Sequence, residues 1–316
     1  MTTRPAPAFL GALVLGAVAG AAWRAASAVK QTGPSTSAPG ADSQARTLHG
    51  SAALLAASVL ADSALEHYRG SFENPGMFAP LLSSALALGS AVEGAAAASP
   101  AAYAFRKTSY RLSIGVGAIG LSFHIYNIFK RPGGLSWLNL FYGAPLGAPA
   151  ALSVCGLIGL AAERLAMQRS ETPRLLGLPA GRALAALTGI ALAGTVGEVA
   201  LFHFRGAFQN PAMYAPVVLP PVGATLLVKA SVEPPATSHP LTRAWLWMSA
   251  TLGVIGMGFH AYGVARAMGG WRNWSQNLID GPPLPAPPSF SALSLAGLAS
   301  LSLIERDAHA RDRQAP

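Results

Sequence analysis

Charge is what this sequence has least of. Asp, Glu, Lys and Arg together make up 11% of its 316 residues, against roughly 25% in soluble domains. A chain of this length could fold as two water-soluble domains, but so few charges cannot cover their surfaces. Cysteine is nearly absent too. Cys155 stands alone, which excludes an intrachain disulfide and any Cys-rich metal centre. The strand-like alternation of apolar and polar residues is missing, which argues against an outer-membrane barrel. There is no phosphate-binding loop, no nucleophile elbow and no His-Glu-x-x-His pair. Gly115-x-Gly117-x-x-Gly120 matches a dinucleotide fingerprint in form only, because it lies inside an apolar run with no strand before it. Those glycines, echoed by Gly253 and Gly256, read as a face for close helix packing.

What is present is apolar length. The hydrophobic set supplies 52% of the residues. Nine stretches reach or approach the roughly 20 residues that cross a hydrocarbon core. They begin near Phe9, Leu48, Met77, Leu112, Ala148, Ala183, Met213, Leu241 and Ser289. The expected fold class is therefore all-α, a polytopic integral membrane protein of about nine transmembrane helices. The formal net charge of +9 sits at the ends of the apolar runs and forms no basic stripe. It marks topology, not a phosphate-binding surface, so the expected partner is the lipid bilayer and not nucleic acid.

Repetition is the strongest signal. His67 opens HYRGSFENPGMFAP and His203 opens HFRGAFQNPAMYAP, identical at nine of fourteen positions and 136 residues apart. The same offset aligns Ser113, Gly117, Ile119, Gly120, Phe123, His124 and Tyr126 with Ser249, Gly253, Ile255, Gly256, Phe259, His260 and Tyr262. Two separated blocks sharing one offset point to an internal duplication. Each copy spans four apolar stretches, an even number, so both copies enter the membrane in one direction. That predicts parallel repeats about a pseudo-twofold axis along the membrane normal. The expected organisation is an N-terminal helix or uncleaved signal anchor over 1–30 and a disordered linker rich in Ser, Gly and Pro over 31–46. Repeat A follows over 47–165, a linker over 166–182, repeat B over 183–305, and a polar tail over 306–316.

Lys and Arg number fifteen on the side reached after the first, third, fifth and seventh helices together with the C-terminus, and seven on the other. The positive-inside rule puts the fifteen in the cytoplasm. The expected location is an inner membrane crossed many times, with the His-x-Arg-Gly loops facing the periplasm and the C-terminus cytoplasmic.

The chemistry-bearing residues are polar side chains within or beside apolar helices, and polar groups at that depth tend to mark function. They come in pairs: Asp62 with Glu198, His67 with His203, Arg69 with Arg205, Asn74 with Asn210, His124 with His260. Glu66 has no mirror, since Phe202 stands at its counterpart. The four histidines are candidates for cofactor or metal ligands, because neutral imidazole is the usual axial ligand of haem b. In that reading Arg69 and Arg205 meet propionates, the glycines before His124 and His260 make room for a macrocycle, and pairs across the pseudo-twofold axis suit the depths best. The plainer reading is that each histidine donates one interhelical hydrogen bond. Five residues separate Asp62 from His67, which places them about 140° apart on a straight helix. The carboxylates therefore stand as a separate intramembrane pair.

The Asn-Pro-x-Met-(Phe/Tyr)-Ala-Pro segments read as capped turns. The Pro-rich runs after Gly143 and Gly281 read as a second rigid loop, with Trp137, Trp271 and Trp274 in the interfacial belt. Three functions remain open. One is a membrane subunit of an electron-transfer system binding haem b or a metal near the outer face, with a periplasmic redox partner. Another is a transporter or channel using Asp62 and Glu198, with Pro220-Pro221 as a helix break. The third is a cofactor-free anchor for a periplasmic partner. No resemblance to a known family carries any of them.

Overall fold

The computed structural model describes residues 41–168, 170 and 172–314. The expected first helix and most of the linker after it lie outside the described residues. The elements run α1 (Ala41–Arg69), α2 (Ala79–Ala96), α3 (Tyr103–Phe129), α4 (Trp137–Phe141) and α5 (Gly147–Met167), then β1 (Arg174–Leu175) and β2 (Leu178–Pro179). After them come α6 (Ala180–Arg205), α7 (Ala215–Val232), α8 (Pro240–Arg266), α9 (Trp274–Asp280) and α10 (Pro288–Gln314). The two strands form only a hairpin, with Leu176 and Gly177 at positive φ in its turn.

All eight expected stretches among these residues fall in long helices. Among the described residues seven segments are long and apolar enough to cross a membrane. The Pro240–Arg266 helix is not among them, its apolar run being diluted by Trp245, Trp247 and His260. The structure is that of a multi-pass helical membrane protein. Three boundaries differ from expectation. The described residues are already helical from Ala41, inside the expected linker, and α10 runs to Gln314 through the expected tail. There Asp307, Ala308 and Ala310 are buried, so packing continues past the polar composition. Pro220 and Pro221 do not break α7. They stand in its second turn, where two ladder bonds are lost but the helix continues.

Helices α1, α2, α3 and α5 close into a ring in which each packs on the next, and α6, α7, α8 and α10 close into another. The rings meet along two seams, α1 against α10 and α5 against α6. Small residues set the spacing. A Cβ added at Gly159 would lie 2.3 Å from the Tyr110 ring, and one at Gly156 would lie 2.4 Å from the Tyr110 carbonyl oxygen. Gly117 and Gly253 do the packing expected of them. A Cβ there would meet Ser153 Oγ at 2.4 Å and Ser291 Oγ at 2.3 Å respectively. Ser291 stands 138 residues after Ser153, so two extra residues sit in the second half between Gly270 and Gly281.

One end of the molecule carries the His67 and His203 loops. Both are built alike. Asn74 Oδ1 accepts from Gly76 N at 2.8 Å, and Asn210 Oδ1 from Ala212 N at 2.9 Å. Phe72 and Phe208 take positive φ, an uncommon region for such side chains. Each is held by a stacked ring, Phe78 and Tyr214 respectively, both with centroids 4.5 Å apart.

Candidate functional site

The four histidines share one arrangement at this loop end. His67 Nδ1–H donates to the Met77 carbonyl at 2.7 Å, and His203 Nδ1–H to the Met213 carbonyl at 2.7 Å. His260 Nδ1–H donates to the Pro283 carbonyl at 2.7 Å, and His124 Nδ1–H to the Pro145 carbonyl. A carbonyl only accepts, so each ring carries a proton on Nδ1, and in the neutral ring that puts the lone pair on Nε2. His67 lies within electrostatic reach of His124, and His260 of His203.

The glycine faces before His124 and His260 are filled by protein, since a Cβ at Gly120 or Gly256 would meet Pro149 at 3.4 Å or Pro287 at 3.0 Å. Arg69 is bonded through each of its three guanidinium nitrogens. It bonds Glu66 and the Ile279 carbonyl, and donates to the Gly281 carbonyl at 3.1 Å. Among the described residues no three His, Cys, Asp or Glu side chains gather to hold a metal ion.

The carboxylates come together instead. Asp62 on α1 lies in electrostatic reach of Glu66, Arg69 and Glu198. Two residues 136 positions apart are thus within electrostatic reach of each other. Glu198 also crosses the α5–α6 seam. Its Oε1 accepts from Gly147 N at 2.8 Å, so a side chain of one half caps the first turn of a helix in the other. Gly147 is required there, because a Cβ would lie 1.4 Å from Glu198 Oε2.

Beside this cap the seam opens into a cleft of about 470 Å³. Leu55 and Leu293 form its floor, and Ala150, Ala151, Val154, Leu187 and Ala191 its walls. Glu198 and Arg205 are its charged residues. A Cβ at Gly194 or Gly197 would meet nothing within 4 Å, so these two glycines create the space. Arg205 differs from its counterpart Arg69. Its guanidinium lies over Phe202, Phe141 and Tyr142, 5.4, 5.6 and 5.8 Å from their centroids. Neither this cleft nor the next is lined by one of the four histidines.

The second cleft, about 430 Å³, lies at the opposite end of the first half and borders a network the sequence did not single out. His49 Nδ1 pairs with Tyr110 Oη at 2.9 Å, and His49 Nε2 approaches Glu163 Oε1 at 3.3 Å. Arg106 Nη2 donates to Glu163 Oε2 at 3.0 Å and Nη1 to the Ser99 carbonyl at 2.9 Å, and Arg106 also bonds Glu93. His49, Tyr110, Glu163 and Arg106 are all buried. Gly94 makes the room, since its Cβ would lie 2.6 Å from the His49 ring. The corresponding places in the second half hold Ala185, Leu246, Leu301 and Thr242, all buried. The available signal was Glu163 inside an apolar run. Arg106, near the polar start of α3, carries no such signal.

No protein-family model matches this chain, and neither a curated protein nor a solved structure shows significant similarity to it.

Proposed function

We propose that the protein is a membrane transporter made by duplication of a four-helix unit, with its substrate chamber in the cleft between α5 and α6. The observation that carries this reading is the cleft itself, apolar along its length and bordered by Glu198 and Arg205, at the junction of two similar rings. Repeat transporters place substrate at such junctions and work by moving one half against the other. Asp62, Glu66 and Glu198, within electrostatic reach of one another, supply the carboxylates such a device uses. The matched loop contacts, His67 to Met77 and His203 to Met213 among them, support the duplication. The Lys and Arg count orients the loop end toward the periplasm. A mostly apolar chamber with one cation suits an amphiphile.

The test is trans-bilayer transfer of a fluorescent phospholipid in liposomes containing the purified protein. Bleaching from outside should reach the inner-leaflet lipid faster than in protein-free vesicles, and Gly194→Trp, which fills the cleft, should abolish the gain. Equal rates with and without protein would overturn the reading.

A second reading, a membrane subunit of an electron-transfer system, is favoured by the histidine tautomers. A ligating imidazole usually gives its other N–H to a carbonyl. Haem b would take Nε2 from His67 and His124, or from His203 and His260. A Soret band in the gently purified protein, lost in His124→Ala, would establish it, and a featureless visible spectrum would end it.

A further inference from the structure

Arg205 is the observation least accounted for by packing. Its counterpart Arg69 bonds a carboxylate and two carbonyls, one through each guanidinium nitrogen. Position 202, where the first half has Glu66, is Phe, so that carboxylate is missing and a ring face takes its place. The contacts of Arg205 among the described residues are ring faces, and these leave the guanidinium edge and its donors available. Trp137 and Phe141 pack on the neighbouring Phe204, with centroids 6.3 and 5.8 Å away. Such an aromatic group with a cation belongs at headgroup level. Seven residues deeper, about 10 Å by helical rise, Glu198 is occupied with the α5 N-terminus and does not neutralise Arg205. Below lies an apolar cleft whose space is left by Gly194 and Gly197.

We propose that this cleft binds one phospholipid of net negative headgroup, the phosphate on Arg205 and an acyl chain along Gly197 and Gly194 toward Leu55. The charge decides the class. A zwitterionic headgroup brings its own cation to the only unpaired cation of the cleft, whereas an anionic one does not. The site rests on the reading of the cleft as a ligand chamber, and adds the headgroup to it.

The test uses the full chain in detergent, stripped of lipid and titrated with phosphatidylglycerol or phosphatidylcholine, with retained lipid counted by native mass spectrometry. One phosphatidylglycerol should be retained with a preference of about fivefold over phosphatidylcholine, the factor that a single basic residue contributes near a membrane surface. Arg205→Gln should remove the preference and Arg205→Lys should keep most of it. Gly197→Leu, which enters open space and leaves the fold intact, should remove retention of both lipids. Arg266→Gln is the control, because Arg266 lies 5.6 Å from the Tyr262 centroid in a like arrangement away from the cleft. Equal retention of the two lipids, a preference surviving Arg205→Gln, or wild-type retention in Gly197→Leu would each overturn the proposal. Lipid transfer without headgroup preference would sink the site and leave the transporter. Retention without transfer would do the reverse.

Discussion

The two seams between the helical rings use corresponding helices and reach opposite results. Along α1 and α10, Ser51 Oγ donates to the Ala292 carbonyl at 2.7 Å and Ser58 Oγ to the Pro285 carbonyl at 2.5 Å. Leu54 and Ala61 are buried beside them, and Arg69 ties the loop end to residues 279 and 281. Along α6, the positions 136 residues on are Leu187, Gly194, Ile190 and Gly197. Both hydroxyls are gone, and Ile190 is 67% exposed. The apolar window of α1 is 83% buried and that of α6 only 33%. In lipid, where helices gain nothing from hiding apolar surface, seams close through packing and polar contacts. Two serines and an arginine bonded to carbonyls close one seam. Two glycines and an arginine on ring faces leave the other open.

The comparison breaks most severely at the network that only the first half has. Glu163→Ala should destabilise the protein by about 3–5 kcal/mol, the cost of leaving a buried partner charge unpaired. Replacing His49, Arg106, Tyr110 and Glu163 together with the Ala, Thr, Leu and Leu of the second half should cost far less. Reversible unfolding in detergent or bicelles measures both, and a quadruple variant worse than the single one would show that the network is not equivalent to the apolar packing of the other half.

Next in size is Gly147→Ala. The added methyl must displace the Glu198 carboxylate and cost the α5 cap, for about 1–3 kcal/mol. Because only the open seam carries this contact, cysteine pairs across α5 and α6 should cross-link less well in the variant, while pairs across α1 and α10 should be unchanged. Loss of both would mean that the seams are not independent.

The smallest effect separates the serines. Ser58→Gly should cost the closed seam about 0.6 kcal/mol, the mean worth of one interhelical bond in a membrane. It should not open a cleft unless combined with Ser51→Leu, and lipid retention counts would show whether a second site appears.

The sequence made the helices legible and hid the joints. Apolar length placed all eight stretches that can be compared, because lipid demands it of every spanning helix. The shared offset pointed at His67 and His203, whose contacts match. It could not tell that Glu198 would cap a helix of the other half while Asp62 would not. Pro285 stands where Gly147 does, and proline has no N–H to donate. Arg69 and Arg205 read as equals, and the difference lay one turn away in Glu66 and Phe202. An arginine at the start of an apolar run, as Arg106 is, reads as a topology marker. Only the packing of α5 brings Glu163 to it.

The closed seam also has a consequence in time. Ser51 and its acceptor Ala292 are separated by 241 residues, and Ser58 and Pro285 by 227. Glu198 follows Gly147 by only 51. At synthesis rates of about 5–20 residues per second, the cap on α5 can form roughly 3–10 s after Gly147 is made. The serines of α1 wait on the order of 10–50 s for α10. During that interval the first ring stands in lipid with Ser51 and Ser58 lacking their α10 acceptors and Arg69 held by Glu66 alone. The more open seam is therefore the first to assemble, and the tighter one is the last act of folding.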